Sequence, residues 1–163
     1  MKTTQTLSAA LLTFSLFASP AFSEGEASII DAIQTFDGCA AQTQSVQGFS
    51  MTMDIKCIER ATDYCAIGRP IEAQVSCVDA ITQHVEKANI ALRDTVPERL
   101  LADGVRSKIY ARTYARLMSG DAPLCDHVPI ENFPPVTWCT WLQTASDWTE
   151  WRSLQRQSLE DSK

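Results

Sequence analysis

The chain has 163 residues, the length of one domain with a modest hydrophobic core. It carries 14 lysines and arginines against 20 aspartates and glutamates, so its formal net charge is -6. That acidic balance argues against a nucleic-acid partner or an anionic membrane surface, and it favours either simple solubility or attraction to a cationic partner.

Residues 1–23 have the pattern of a secretory signal peptide. Lys2 supplies the positive charge, an apolar run extends from Leu7 to Phe17, and small residues precede Glu24. The run is shorter than the roughly 20 apolar residues that a membrane-spanning helix needs. We therefore expect residues 24–163 to form a single, still more acidic domain in the periplasm or outside the cell, with no membrane contact after cleavage.

All six cysteines follow the predicted cleavage point, and an even number of cysteines in an oxidising compartment indicates disulfide bonds. The cysteines are Cys39, Cys57, Cys65, Cys77, Cys125 and Cys139. Many pairings are possible, so spacing along the chain has to select among them.

The first two predicted helices precede a Gly68-Arg69-Pro70 break. Apolar residues at helical spacing predict a helix from about Ser28 to about Gln44. A short second helix ends at Gly68, and we expect Asp54 or Thr52 to cap its start.

The third predicted helix has the clearest pattern and runs from Pro70 to about Val96, where Pro97 ends it. Its apolar residues recur at intervals of three and four, and we expect the centre of the core at Val78, Ile81 and Val85. Its outer face carries Glu72, Asp79 and Glu86 at seven-residue spacing, and Arg93 continues the row. Such a row is typical of a solvated face with local ion pairs.

A fourth helix is predicted from Glu98 to about Met118, with Gly104 inside it. It is the basic element of the chain, and its cations are Arg106, Lys108, Arg112 and Arg116. Because short connections place consecutive helices side by side, we expect these cations to pair with the acidic row of the third helix.

The segment from Leu124 to Val136 is a proline-rich loop with a cysteine at each end. A Cys125–Cys139 bond would close a ring of about 15 residues and stabilise the fold by roughly 3 kcal/mol in the chain-entropy model.

The last predicted helix, from about Pro135 to Gln157, contains four tryptophans, and a polar tail follows Leu159. Trp141 and Trp148 lie on one stripe that we expect to be buried, while Trp138 or Trp151 would lie at its edge with a solvated indole nitrogen.

Together these patterns predict an all-α, small four- to five-helix domain stapled by disulfides. Cys65–Cys77 would close the elbow at Gly68, and Cys39–Cys57 would tie the first helix to the second. These two pairings remain open, because Cys57 and Cys65 are close in sequence and can exchange partners.

No pattern in the chain indicates catalysis. The two histidines, His84 and His127, lack the spacing of a metal motif, and the cysteines have no paired CxxC arrangement for zinc. The chain has no glycine-rich phosphate loop and no nucleophile elbow. We therefore expect a protein that is not an enzyme and uses no cofactor or metal.

Several of these segments resemble the LprI-type lysozyme inhibitor family of secreted bacterial proteins. The similarity covers the run from Cys57 to Cys65, the Cys77-Val78-Asp79-Ala80 stretch, the approach from Gly120 to Cys125, and the Cys139-Thr140-Trp141-Leu142 start of the last helix. Cys39 and Cys57 correspond to the extra cysteine pair of an extended subgroup. The resemblance spans roughly residues 39–157.

The resemblance implies a periplasmic protein that protects peptidoglycan by blocking a lysozyme. Lysozymes are typically cationic, so acidic side chains would speed the encounter; the candidates are Glu72, Asp79 and Glu86. The blocking contacts would come from the loop between the last two cysteines, through His127, Asn132 and Phe133. The alternative is an envelope interaction module that binds another periplasmic protein through the tryptophan-bearing helix.

Overall fold

A computed structural model describes residues 24–44, 50–66, 68–120 and 134–163, without the side chains of residues 24–27. These ranges contain five α-helices and no strand: α1 (Glu24–Thr43), α2 (Ser50–Ala66), α3 (Ile71–Arg93), α4 (Val105–Ser119) and α5 (Pro135–Asp161). The predicted all-α class and the number of helices are confirmed.

The helices pack around α3 and α5. α3 contacts α1, α2 and α5, and α1 packs along α2. α5 also contacts α2 and α4, whereas α4 contacts no described helix other than α5. The prediction that α4 lies beside α3 is therefore wrong. The connection from residue 94 to residue 104 is long enough to carry the chain past α3 and onto α5.

The main core lies where α1, α2, α3 and α5 meet. Its buried members are Ala32, Phe36, Cys57, Ala61, Cys65, Cys77, Val78, Ile81, Val85, Trp141, Ala145 and Trp148. The predicted inward phase of α3 is confirmed, because Val78, Ile81 and Val85 are all almost completely buried. Phe36 and Trp148 pack with ring centroids 4.7 Å apart, which joins α1 to α5.

A second cluster forms on another side of α5, and its buried members are Val96, Leu100, Tyr110, Trp151 and Leu154. Tyr114 meets the ring of Trp151 edge-on at 5.6 Å. The sequence predicted that Trp138 or Trp151 lies at the edge of the buried stripe. Trp138 does so, since it is only partly buried, whereas Trp151 is 4% exposed and belongs to the core. α4 covers this side of α5, so the last helix buries two faces.

The start of α4 differs from the prediction. The helix begins at Val105 rather than Glu98, and Gly104 precedes it with φ of 135°, a backbone conformation that excludes it from the helix. The carboxylate of Asp161 accepts hydrogen bonds from the backbone N–H groups of Leu101 and Ala102, which orders this connection. The tail after Leu159 is thus helical as far as Asp161, and Asp161 contacts the connection before α4.

Two disulfides connect the first three helices as predicted. Cys39–Cys57 joins α1 to α2 with a Cα–Cα distance of 5.4 Å, and Cys65–Cys77 joins α2 to α3 at 5.3 Å. Between the second pair, Gly68 takes φ of 70°, which a residue with a side chain rarely adopts. The elbow therefore depends both on a glycine and on the bond that closes it.

Cys139 in α5 is also disulfide-bonded. Its predicted partner, Cys125, lies outside the described residues. We expect a digest of the non-reduced protein to contain a peptide that joins Cys125 to Cys139, because this bond would close the proline-rich loop. Mass mapping checks the pairing, and either a thiol at Cys125 or its bonding to another cysteine would contradict it.

Because of Tyr110, the stability that the second cluster provides should depend on pH in the alkaline range. Its hydroxyl donates a 2.6 Å hydrogen bond to the carbonyl oxygen of Pro97. Burial is the main cause that raises the pKa of Tyr110 from 10.0 to about 12, and the nearby Tyr114 and Asp161 add to it. The folded protein therefore keeps the phenol neutral at a pH where the unfolded chain already ionises.

The resulting stabilisation is fully present below pH 10 and is lost as the pH rises towards 12. We expect the free energy of unfolding to fall more steeply over this interval in the wild type than in Tyr110→Phe. That variant should also lose about 1 kcal/mol at neutral pH with its hydrogen bond. Urea denaturation measures both effects, and the exposed Tyr64→Phe is the control. Equal slopes for wild type and Tyr110→Phe would contradict this account.

Candidate functional site

The predicted acidic row lies on the solvent side of α3. Glu72, Asp79 and Glu86 are all exposed, and their seven-residue spacing places them along one face over about 21 Å. No ion pair within the described ranges involves any of the three. The expected local ion pairs are therefore missing, and the row presents uncompensated negative charge to solvent.

The opposite side of α3 holds this row in place. Cys77 is bonded to Cys65, and Ile81 and Val85 are buried in the main core. The acidic side chains thus extend from a backbone that is anchored by both packing and a covalent bond. We name this surface, with Glu72, Asp79 and Glu86 as its charged members, the α3 acidic face.

The other predicted partner-binding residues, His127, Asn132 and Phe133, lie outside the described residues together with Cys125. Their grouping in the loop before α5 remains a prediction.

His84, the other histidine, has a structural environment. Its Nε2 lies 2.7 Å from Oδ1 of Asp37 in α1, and its ring meets Phe36 edge-on. It therefore links α3 to α1. Within the ranges that the structure describes, no group of three or more histidine, cysteine or carboxylate side chains is placed to hold a metal ion.

The basic side chains of α4 were predicted to pair with the acidic row of α3, but those that form ion pairs do so with α5. Arg106 forms an ion pair with Glu160 at 2.6 Å, and Arg116 pairs with Glu150 and Asp147, all on α5. α5 therefore takes the place that the acidic row of α3 was expected to occupy.

A buried ionic cluster that was not predicted lies between α1, α2 and α5. Asp54 is completely buried, and Arg152 and Arg156 approach its two carboxylate oxygens at 3.3 and 2.5 Å. Thr43 donates a 3.0 Å hydrogen bond to the same carboxylate, and Arg152 also donates to the carbonyl oxygen of Ala40. One carboxylate thus connects three helices.

Asp54 does not cap α2, because that helix begins four residues earlier, at Ser50. The carboxylate instead shares the inward face of α2 with Cys57, Ala61 and Cys65 at helical spacing. An acid within an apolar stripe requires a cationic partner, since an unpaired buried charge is very costly. An acidic residue at an apolar position of the helical pattern was therefore a signal in the sequence for the burial of Asp54.

The cluster contains two cations for one anion. Burial is the main cause that lowers the pKa of Arg152, while the charge of Asp54 opposes this shift. The guanidinium of Arg152 also lies 5.2 Å from the ring centroid of Trp148, a cation–π contact. Removing Asp54 would leave two buried guanidinium groups without their counter-ion.

We expect Asp54→Asn to lower the free energy of unfolding by about 3–5 kcal/mol, the usual effect of removing one partner from a buried ion pair. Urea denaturation measures it. The control is Asp37→Asn, which removes a partly exposed contact to His84 and should cost less than about 1 kcal/mol. An Asp54→Asn protein as stable as the control would show that the cluster does not hold the helices together.

Two concave regions lie among the described residues. The larger one, about 640 Å³, has Thr35, Arg60, Asp63, Tyr64 and Arg69 among its lining residues, so it combines two cations, an acid and a phenol. The smaller one, about 240 Å³, lies between α1, α3 and α5 and is mostly apolar.

A scan of protein-family models, a search of curated proteins and a search of solved structures each found no match to this chain. None of the five described helices is both long and apolar enough to cross a membrane.

Proposed function

We propose that this chain is an exported, non-enzymatic inhibitor that binds a cationic lysozyme and thereby protects peptidoglycan. The observation that carries the proposal is the α3 acidic face, where three exposed carboxylates have no ion-pair partner within the described ranges. The resemblance of the cysteine-bearing segments to LprI-type inhibitors supports lysozyme as the class of partner.

An acidic face of this kind affects mainly the rate of association. Exposed ion pairs each contribute little to affinity, whereas a field of one sign raises the encounter rate with an oppositely charged protein. The α3 acidic face would therefore attract and orient the enzyme, and the contacts that block catalysis would come from another element.

For those contacts we propose the loop before α5. A lysozyme cleft contains two catalytic carboxyl groups, so a blocking segment needs hydrogen-bond donors and an apolar anchor rather than further negative charge. His127, Asn132 and Phe133 provide that chemistry in a loop with cysteines at both ends.

The stapled frame supports a binding role. Cys39–Cys57 and Cys65–Cys77 connect α1, α2 and α3 in series. A surface that is already ordered loses less conformational entropy on association, which leaves more of the contact energy as affinity.

The alternative is an envelope module that binds another periplasmic protein through the tryptophan-bearing helix α5. Trp141, Trp148 and Trp151 are each at most 4% exposed, so they cannot contact a partner without unfolding. Trp138 is partly buried against the main core. A module of this class would therefore bind through other exposed residues of α5, such as Val136 and Leu142.

We expect the protein to inhibit a c-type lysozyme and the triple variant Glu72→Gln, Asp79→Asn, Glu86→Gln to associate with it several-fold more slowly at low salt, with little change in dissociation rate. Surface plasmon resonance separates the two rates. The matched control, Asp94→Asn, Glu98→Gln, Asp103→Asn, has the same net charge but its changes lie off the α3 acidic face, and it should associate faster than the first variant.

A second variant tests the loop. His127→Ala, Asn132→Ala, Phe133→Ala keeps all six cysteines, and it should associate at the wild-type rate but inhibit poorly. Undiminished inhibition would remove the loop from the mechanism. Absence of inhibition of every lysozyme by the wild-type protein would contradict the proposal itself.

A further inference from the structure

The outward side of α4 combines cations with exposed aliphatic side chains. Val105, Lys108, Ile109 and Arg112 follow the spacing of one helical face and span about 10 Å along the helix. All four are exposed. We call this surface the α4 outer face.

Its two cations differ from the other two on the same helix. Arg106 and Arg116 are paired with acids of α5. No ion pair in the described part of the chain involves Lys108 or Arg112. A protein with a net charge of -6 therefore carries a local patch of uncompensated positive charge.

The aliphatic side chains are exposed to a degree that is unusual for their size. Val105 is 75% and Ile109 57% exposed, and neighbouring Leu101 is 85% exposed. Leu101 is held in this position, because Asp161 binds the backbone N–H groups of Leu101 and Ala102 while Leu100 is buried in the second cluster. The fold thus places an apolar side chain in water four residues before the start of α4.

The α4 outer face lies on the side of the helix opposite to the residues that pack in the second cluster. α4 is anchored on its other side by Tyr110, Tyr114 and Leu117, and α5 is its only neighbour among the described helices. Neither of the two concave regions includes a residue of α4. Two cations beside exposed aliphatic side chains complement a surface that carries negative charge above an apolar layer.

We propose that the α4 outer face docks the protein onto a phospholipid bilayer with anionic headgroups. α4 would lie parallel to the surface, with Leu101, Val105 and Ile109 entering the boundary between headgroups and acyl chains. Lys108 and Arg112 would bind the lipid phosphates, while their aliphatic stems lie against the apolar side chains.

The overall acidity of the chain does not prevent such binding, because salt screens distant charges. The Debye length is about 8 Å at physiological ionic strength, so charges at the point of contact dominate. The α3 acidic face lies on a helix that makes no contact with α4. The exposed Asp103 lies close to the α4 outer face and reduces the attraction, which makes the docking weak and reversible.

Vesicle co-sedimentation tests the proposal. The protein is purified after export, and its mass is checked so that residues 1–23 do not contribute. At about 0.1 M salt, where surface charges are only partly screened, we expect it to bind vesicles of equal parts phosphatidylglycerol and phosphatidylethanolamine but not vesicles of phosphatidylcholine. Lys108→Gln with Arg112→Gln should lower the partition coefficient on the order of tenfold.

Val105→Ser with Ile109→Ser should weaken binding to the anionic vesicles by a similar factor, since both apolar and charged contacts contribute. Its melting temperature should stay close to that of the wild type, because both side chains are exposed. The matched control is Arg60→Gln with Lys87→Gln, which removes the same charge from α2 and α3 and should leave binding unchanged.

Failure of the wild type to bind the anionic vesicles would overturn the proposal. So would binding that the two α4 variants retain, or that the α2 and α3 control loses equally. None of these outcomes bears on lysozyme inhibition, which is measured without lipid.

Discussion

The completely buried carboxylate of Asp54 is the interaction on which the arrangement of the helices most depends. It binds Arg152 and Arg156 of α5 and Thr43 of α1 from a position within α2, so three helices must be in register before its charge is compensated. A mispacked arrangement would leave the carboxylate or the two guanidinium groups buried and unpaired, which is strongly unfavourable. The cluster thus opposes alternative packings of a small core.

The disulfides and this cluster act on overlapping parts of the fold. Cys39–Cys57 fixes α1 against α2 close to Asp54, and the Sγ of Cys57 lies 4.0 Å from the Thr43 hydroxyl that binds the carboxylate. Cys65–Cys77 extends the connection to α3. The disulfides restrict mainly the unfolded chain, whereas the ionic cluster selects among folded arrangements. The two therefore favour a single native structure in different ways.

The surface separates into regions of opposite character because α5 occupies the middle of the fold. One side of α5 packs against α3 and leaves the α3 acidic face in solvent. Another side of α5 packs against α4, and acidic side chains of α5 form ion pairs with Arg106 and Arg116 of α4. The proposals for a cationic protein partner and for an anionic bilayer therefore concern separate surfaces, one on α3 and the other on α4.

Short cysteine spacings favoured Cys39–Cys57 and Cys65–Cys77 but left both pairings open until the structure decided them. Local patterns in the sequence determined the helical class and the inward phase of α3, because helical periodicity depends on neighbouring residues. The α3 acidic face was predictable for the same reason. Only the tertiary structure decided which cations compensate Asp54, that Trp151 belongs to a second core, and that α4 pairs with α5. Each of these depends on which helices meet across the molecule, and contacts between residues about 100 positions apart, such as Arg152 and Asp54, leave no periodic signal in the chain.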